Sequence, residues 1–225
     1  MNENNKFFGE IIKNFKNYFK KNYGQKFTNQ TLESCISIYN LCKNENPDSV
    51  IEIGTNHGAS LFALVKALRD LGKNLSHITT IDLDHEKWKI SFDIQKELIK
   101  EYQLELNKVK LITRDFNDID PENIIDPLKK IFVFYDMHDH EGPWSQKLLD
   151  LWIPLIKKGT IAVHDISPVN KDFQFGPNEI NLRTKIQYKN GQYYAGFNEC
   201  FRIIEWVNKN DIKIKNFNGG IYFTL

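Results

Sequence analysis

Cysteine is scarce in this chain: Cys35, Cys42 and Cys200 are the only three, and none stand in paired or Cys-x-x-Cys spacing. Neither a disulfide framework nor a zinc site is indicated, and a reducing cytoplasm is the expected compartment. Net charge is nearly absent as well. Thirty basic residues against 29 acidic ones leave +1, which gives nucleic acid no global field to follow. No apolar run approaches the roughly 20 residues that span a bilayer, and the opening Met1-Asn-Glu-Asn-Asn-Lys6 is too polar for a signal peptide. The expectation is a soluble, unexported protein with no nucleic-acid partner and no transmembrane segment. Internal repeats are lacking, and the one compositional bias is toward Asn and Lys.

What is present suits a folded core: 225 residues, 41% of them hydrophobic, are enough for one full domain. Residues 1–27 read as an amphipathic helical extension. Phe8, Ile11, Ile12, Phe15 and Phe19 form its apolar stripe, with Lys6, Lys13, Lys16, Lys20 and Lys21 around it. Such a helix is expected to pack on the domain, on a twin subunit in a homo-oligomer, or over a binding site. A membrane-surface role is the alternative. The remaining residues, 28–225, read as the main domain, beginning with a second helix from Thr28 to Cys42.

From residue 49 the chain alternates between strand and helix. Val50 to Ile53, Ile78 to Asp82, Val109 to Thr113, Ile131 to Tyr135 and Thr160 to Val163 read as five strands. Helices are expected from Leu61, from His85 to Leu104 and from Trp144 to Ile156 between them, and from Phe197 to Val207 afterwards. This pattern predicts an α/β fold, a doubly wound and mostly parallel sheet with helices on both faces. Ile212-Lys-Ile214 and Gly219 to Phe223 suggest a closing C-terminal β-hairpin. Ser167 to Gly191, with Pro168, Gly176, Pro177 and Gly191, reads as a long loop, and a lid that selects the substrate is expected there. Ligands of such sheets bind beyond the carboxyl ends of the strands, where Glu52, Gly54, Asp82, Asp115, Asp136, His164 and Asp165 all fall.

The first strand runs into Glu52-Ile53-Gly54-Thr55-Asn56-His57-Gly58-Ala59-Ser60 and directly into a helix. Gly54 and Gly58 are expected to let a ligand approach the backbone, and the helix N-terminus points free N–H groups at it. This is not the dinucleotide fingerprint Gly-x-Gly-x-x-Gly, and no Gly-Lys-Ser/Thr follows to cradle phosphates. The loop resembles the first motif of the class I S-adenosylmethionine-dependent methyltransferases. That resemblance implies a Rossmann-like methyltransferase sheet and a cofactor site built from Glu52, Gly54, Thr55, Asn56, Gly58 and Ser60. It also implies that Asp82, in Thr80-Ile81-Asp82-Leu83, grips the cofactor ribose and that Asp115 reaches the adenine amino group. Asp84 is the competing carboxylate and reads as a helix N-cap.

Phe134-Tyr135-Asp136-Met137-His138-Asp139-His140-Glu141 and Gly159-Thr-Ile-Ala-Val-His164-Asp165 bring Asp136, His164 and Asp165 to neighbouring strand ends. Two carboxylates and an imidazole make a set of ligands for a divalent cation with open positions. The pattern resembles the metal-dependent O-methyltransferases of catechol and of sugars and macrolides, and the cephalosporin hydroxylase-like relatives, in which an Asp after strand four and an acidic or amide pair after strand five bind magnesium. His164 departs from the usual Asp or Glu. Imidazole suits manganese, iron or zinc better than magnesium. In the sugar-modifying relatives a His three places after the strand-four Asp serves as general base, whereas here Asp139 holds that place between His138 and His140, so the base stays open among the three.

The function expected is methyl transfer from S-adenosylmethionine to a hydroxyl of a small molecule, a sugar, nucleotide-sugar or natural product, assisted by a divalent metal, magnesium first with manganese or iron as alternatives. Asp136, His138, Asp139 and His140 are the candidate catalytic residues. A nicotinamide-dependent oxidoreductase and a non-catalytic cofactor-binding partner protein are the alternatives.

Overall fold

The structure, a computed structural model, describes residues 3–24, 31–137, 144–168, 184–188, 191–195 and 198–225. The main sheet has seven strands. These are β1 (Ser49–Ile53), β2 (Ile78–Asp82), β3 (Lys110–Thr113), β4 (Ile131–Tyr135), β5 (Gly159–His164), β9 (Lys215–Phe217) and β10 (Gly220–Thr224), in the spatial order β3-β2-β1-β4-β5-β10-β9. The first five are parallel and β10 runs antiparallel to β5, so the C-terminal hairpin closes one edge. Its first arm begins three residues after the expected Ile212. The order reverses beside β1, where β2 and β4 flank it. In a doubly wound sheet this is the crevice that takes a ligand.

Alternation along the central strands separates two cores. Val50, Phe132, Phe134 and Ala162 face α1 (Glu3–Tyr23), α2 (Leu32–Glu45) and α3 (Ala59–Asp70). Ile51, Ile53, Val133, Tyr135, Ile161 and Val163 face the other way. There they meet Trp144, Leu148 and Trp152 of a helical segment whose first turn is α6 (Trp144–Lys147), and Ile203, Ile204 and Val207 of α7 (Asn198–Lys209). Strands buried on both faces read as near-continuous apolar runs, which is why β4 and β5 were so plain in the sequence.

Phe7, Phe8, Ile11, Ile12 and Phe15 of α1 are buried in the first of these cores. Phe7 meets Tyr102 edge-on at 4.7 Å and Phe8 meets Tyr39 at 5.6 Å. Full burial of each such side chain contributes about 1.5–3 kcal/mol, so the apolar stripe of this helix has its partner within the chain.

Two expectations are corrected. The helix predicted from His85 to Leu104 is broken into α4 (Glu86–Ile94) and α5 (Lys96–Glu101) at the fully buried Gln95, whose amide donates to Ile11 O at 3.0 Å and accepts from Asn14 Nδ2 at 2.9 Å. Part of the stretch read as a loop is strand: β6 (Ile166–Pro168), β7 (Thr184–Tyr188) and β8 (Gly191–Ala195) form a three-stranded antiparallel sheet in the order β6-β8-β7. Residues 169–183 and 189–190, the rest of the expected lid, lie outside the described residues. Among the described residues no helix is long and apolar enough to cross a membrane.

Candidate active site

The parallel ladder extends one residue past β1, with Gly54 N donating to Ile81 O at 2.9 Å and Asp136 N donating to Ile53 O at 2.8 Å. These bonds bring the ends of β1, β2 and β4 together around a cavity of about 380 Å³. Gly54, Asn56, Asp82, Lys87, Asp136 and Trp144 are among the residues of its wall.

The two motif glycines are also required by the packing of the protein itself. Gly54 has φ +91, and a Cβ on it would lie 2.3 Å from Asp136 O; Gly58 has φ +72, and a Cβ there would lie 2.3 Å from the Trp88 ring. Their missing side chains make room for the β4 backbone and for an indole of α4. Gly54 also borders the cavity, whereas Gly58 is held against the protein itself.

Asn56, left-handed at φ 46, donates its backbone N–H to Asp82 Oδ2 at 2.8 Å. The other oxygen, Oδ1, lies 3.3 Å from Asp84 N. The Asp82 carboxylate is thus oriented by two backbone donors on the cavity wall; Asp84 accepts from Glu86 N at 2.7 Å, but the N-cap of α4 is His85 rather than the expected Asp84.

Glu52, Thr55 and Ser60 form a buried set behind the loop rather than part of the cavity wall. Ser60 Oγ and Thr80 Oγ1 each donate to Glu52 at 2.7 Å, and the Thr55 and Thr80 hydroxyls are hydrogen-bonded to each other. Burial outweighs the Ser60 and Thr80 bonds and pushes the Glu52 carboxyl up to about 8, so it is mostly neutral at neutral pH. Asp115 likewise stands back from the wall: its Oδ1 accepts from Trp144 Nε1 at 2.8 Å and from Asn117 N at 2.8 Å. It fixes the indole that lines the cavity. Trp144 and Lys87 were missed as site residues in the sequence. Lys87 stands in the first turn of α4, five residues after Asp82, whereas Trp144 opens α6 eight residues after Asp136 and carries no comparable signal.

Asp136, His164 and Asp165 do meet, with one donor atom from each lying within 4.8 Å of the others. His164 Nδ1 is 2.9 Å from Asp136 Oδ1 and 3.3 Å from Asp165 Oδ1. Neighbouring ligands of an octahedral ion with bonds of about 2.1 Å stand roughly 3 Å apart, so this donor set fits a divalent cation. The same spacing suits a protonated ring. Burial pushes the His164 pKa down, but the Asp136 carboxylate, reinforced by Asp165, outweighs it and holds the ring well above the ordinary histidine value. A cation entering here has to displace that proton. Asp165 itself is left-handed at φ 62, with its N–H donating to Gly219 O at 2.8 Å. Backbone strain of this kind, about 1–3 kcal/mol, collects at functional sites. The candidate bases His138, Asp139 and His140 lie outside the described residues.

Residues 51–166 match the model of a family described as a methyltransferase domain. No curated protein matches the chain in sequence. Several solved structures share its fold. The O-methyltransferase TomG from Streptomyces achromogenes, involved in tomaymycin synthesis and solved in complex with SAM, is 13% identical with a TM-score of 0.59, over 100% of this chain and 90% of that one. An O-methyltransferase from Bacillus cereus in complex with SAH is 11% identical with a TM-score of 0.59, over 96% and 90%. A SAH-bound methyltransferase from Podospora anserina is 14% identical with a TM-score of 0.54, over 95% and 86%.

Proposed function

This chain belongs to the methyltransferase domain family, and on that premise we propose that it moves the methyl group of S-adenosylmethionine onto a hydroxyl of a small molecule. The observation that carries the reading is the cavity at the ends of β1, β2 and β4, with the Asp82 carboxylate on its wall already oriented by the Asn56 N–H. A fixed carboxylate at the end of the second strand suits the two hydroxyls of a ribose. Asn56 and Gly54 offer backbone on the same wall, and the Trp144 indole offers an apolar face.

Methyl transfer asks little covalent help from a protein. The acceptor oxygen bonds to the methyl carbon as the carbon–sulfur bond breaks, the sulfonium becomes a neutral thioether, and the hydroxyl proton leaves to a base. Alignment of oxygen, carbon and sulfur supplies most of the acceleration, and deprotonation of the oxygen the rest. Asp136 sits both on the cavity wall and beside His164 and Asp165, so an acceptor hydroxyl held near it is close to all three polar groups. Asp136, His164 and Asp165 would hold a divalent cation, magnesium in keeping with the two carboxylates, or manganese or iron in keeping with the imidazole. When bound, such an ion lowers the pKa of a coordinated hydroxyl. His138, Asp139 and His140, following Asp136 in the chain, are the candidates for taking the proton.

Calorimetry with S-adenosylhomocysteine and with NAD tests the cofactor, with binding expected for the first alone. Transfer of labelled methyl to a panel of sugars, nucleotide-sugars and aromatic diols then tests the acceptor. Binding of NAD in place of S-adenosylhomocysteine would overturn the reading.

A further inference from the structure

The loop after β1 contains three left-handed residues, Gly54 at φ 91, Asn56 at φ 46 and Gly58 at φ 72. Asn56 alone among them carries a side chain, so its conformation is intrinsically disfavoured and has to be held by its surroundings. Part of the hold comes from within the domain: Asp82 accepts the Asn56 N–H, and Gly58 N donates to Thr55 O at 2.7 Å. Trp88 of α4 closes the space beside Gly58, and Phe62 of α3 backs that indole at 5.2 Å.

The remaining support comes from the far N-terminal helix. His57, between Asn56 and Gly58, meets the ring of Phe19 at 4.9 Å and that of Phe15 at 6.4 Å, both in edge-on geometry. Helix α1 is not free to slide away from this contact. Gln95 binds both Ile11 O and Asn14, and Phe7, Phe8 and Ile11 are fully buried. Burial, with the nearby charge of Lys87, lowers the His57 pKa to about 4, so at neutral pH the ring is an uncharged aromatic body.

We infer that α1 is a positioning element of the cofactor site: Phe19, by fixing the His57 ring, holds Asn56 in the left-handed turn that presents its N–H to Asp82. The inference rests on the S-adenosylmethionine reading above. It assigns to a helix far from the motif in sequence a share in shaping the carboxylate that grips the ribose.

Full-length Phe19→Ala, His57→Ala, His57→Phe and Phe8→Ala variants test it, each followed by S-adenosylhomocysteine calorimetry, amide exchange of residues 56–58 and urea unfolding. Phe19→Ala and His57→Ala are expected to raise the Kd by about fivefold or more and to speed exchange in the turn. His57→Phe, which keeps an aromatic ring, should stay within about twofold of wild type. Phe8→Ala, packed on Tyr39 away from the loop, should lower the urea midpoint while leaving the Kd within about twofold. Unchanged affinity in Phe19→Ala, or equal weakening in Phe8→Ala, overturns the inference alone. A wild-type protein that does not bind S-adenosylhomocysteine overturns the cofactor reading and the inference with it.

Discussion

Gly54 lies against the backbone of Asp136 so closely that a methyl group on it would stand 2.3 Å from the Asp136 carbonyl oxygen and 2.8 Å from its carbonyl carbon. The loop that borders the cavity and the strand end that carries Asp136 therefore pack backbone against backbone. Close packing of this kind limits independent movement of the two, a useful property where a methyl donor and an acceptor oxygen must be aligned.

Gly54→Ala should therefore be costly twice over, through its φ of +91 and through collision with backbone that cannot rotate away. We expect a destabilisation of about 3 kcal/mol, equivalent to a Tm lower by roughly 10 °C for a chain of this size. Calorimetric melting checks it, and a fall of only a degree or two would mean that β1 and β4 part easily.

Asp82→Ala should weaken S-adenosylmethionine by about 1–3 kcal/mol, the cost of leaving polar partners unmatched. The Asn56 N–H loses its acceptor in the same variant, so Asp82→Asn, which keeps one acceptor oxygen, should lose less. Equal affinity in wild type and Asp82→Ala would move the ribose site, with Asp84 as the next carboxylate on the cavity wall.

Glu52 gives a pH dependence of stability with a definite direction. Its folded-state pKa is raised from 4.5 to about 8, first by burial, so the folded protein holds this proton more tightly than the unfolded chain. The resulting stabilisation is complete below about pH 4.5, declines as pH rises through about 8, and changes no further above that. Glu52→Gln, neutral at every pH, should lose less stability than wild type between about pH 5 and about pH 9, by roughly 1–3 kcal/mol in urea unfolding. Parallel curves for the two proteins would show that Glu52 is ionised in the fold.

Much of this architecture was legible because strands covered on both faces leave unbroken apolar runs, and because the acids at their ends stand directly after them. Asp82, Asp136, His164 and Asp165 were found in that way, and the structure brings the last three together. What could not be read was decided by contacts between distant segments. Nothing near Gly58 announces that Trp88 fills its missing side chain, and nothing near Gln95 announces the distant Ile11 carbonyl that its amide binds at the junction of α4 and α5. Glu52 and Ser60 were placed with the cofactor through the resemblance of their loop to the first methyltransferase motif. Their side chains point instead into a buried hydroxyl network that reaches Thr80. The strands 184–188 and 191–195 escaped notice because a short antiparallel sheet joined to β6 needs no long apolar run.

The cluster of Asp136, His164 and Asp165 separates two ways of neutralising a pair of carboxylates, by a protonated ring or by a divalent ion, and calorimetry with manganese distinguishes them. If the three side chains hold the ion together, Asp136→Asn and His164→Ala should each weaken manganese binding by about tenfold or more, because each removes one ligand of the set. Methyl transfer in wild type should then fall on exhaustive chelation and return when manganese or magnesium is restored, whereas S-adenosylhomocysteine affinity should stay within about twofold, since Asp82 and Asn56 do not belong to the cluster. Activity that survives chelation, together with manganese affinity unaffected by either substitution, would make His164 the permanent partner of the two carboxylates. The cluster would then shape the acceptor pocket through its hydrogen bonds alone.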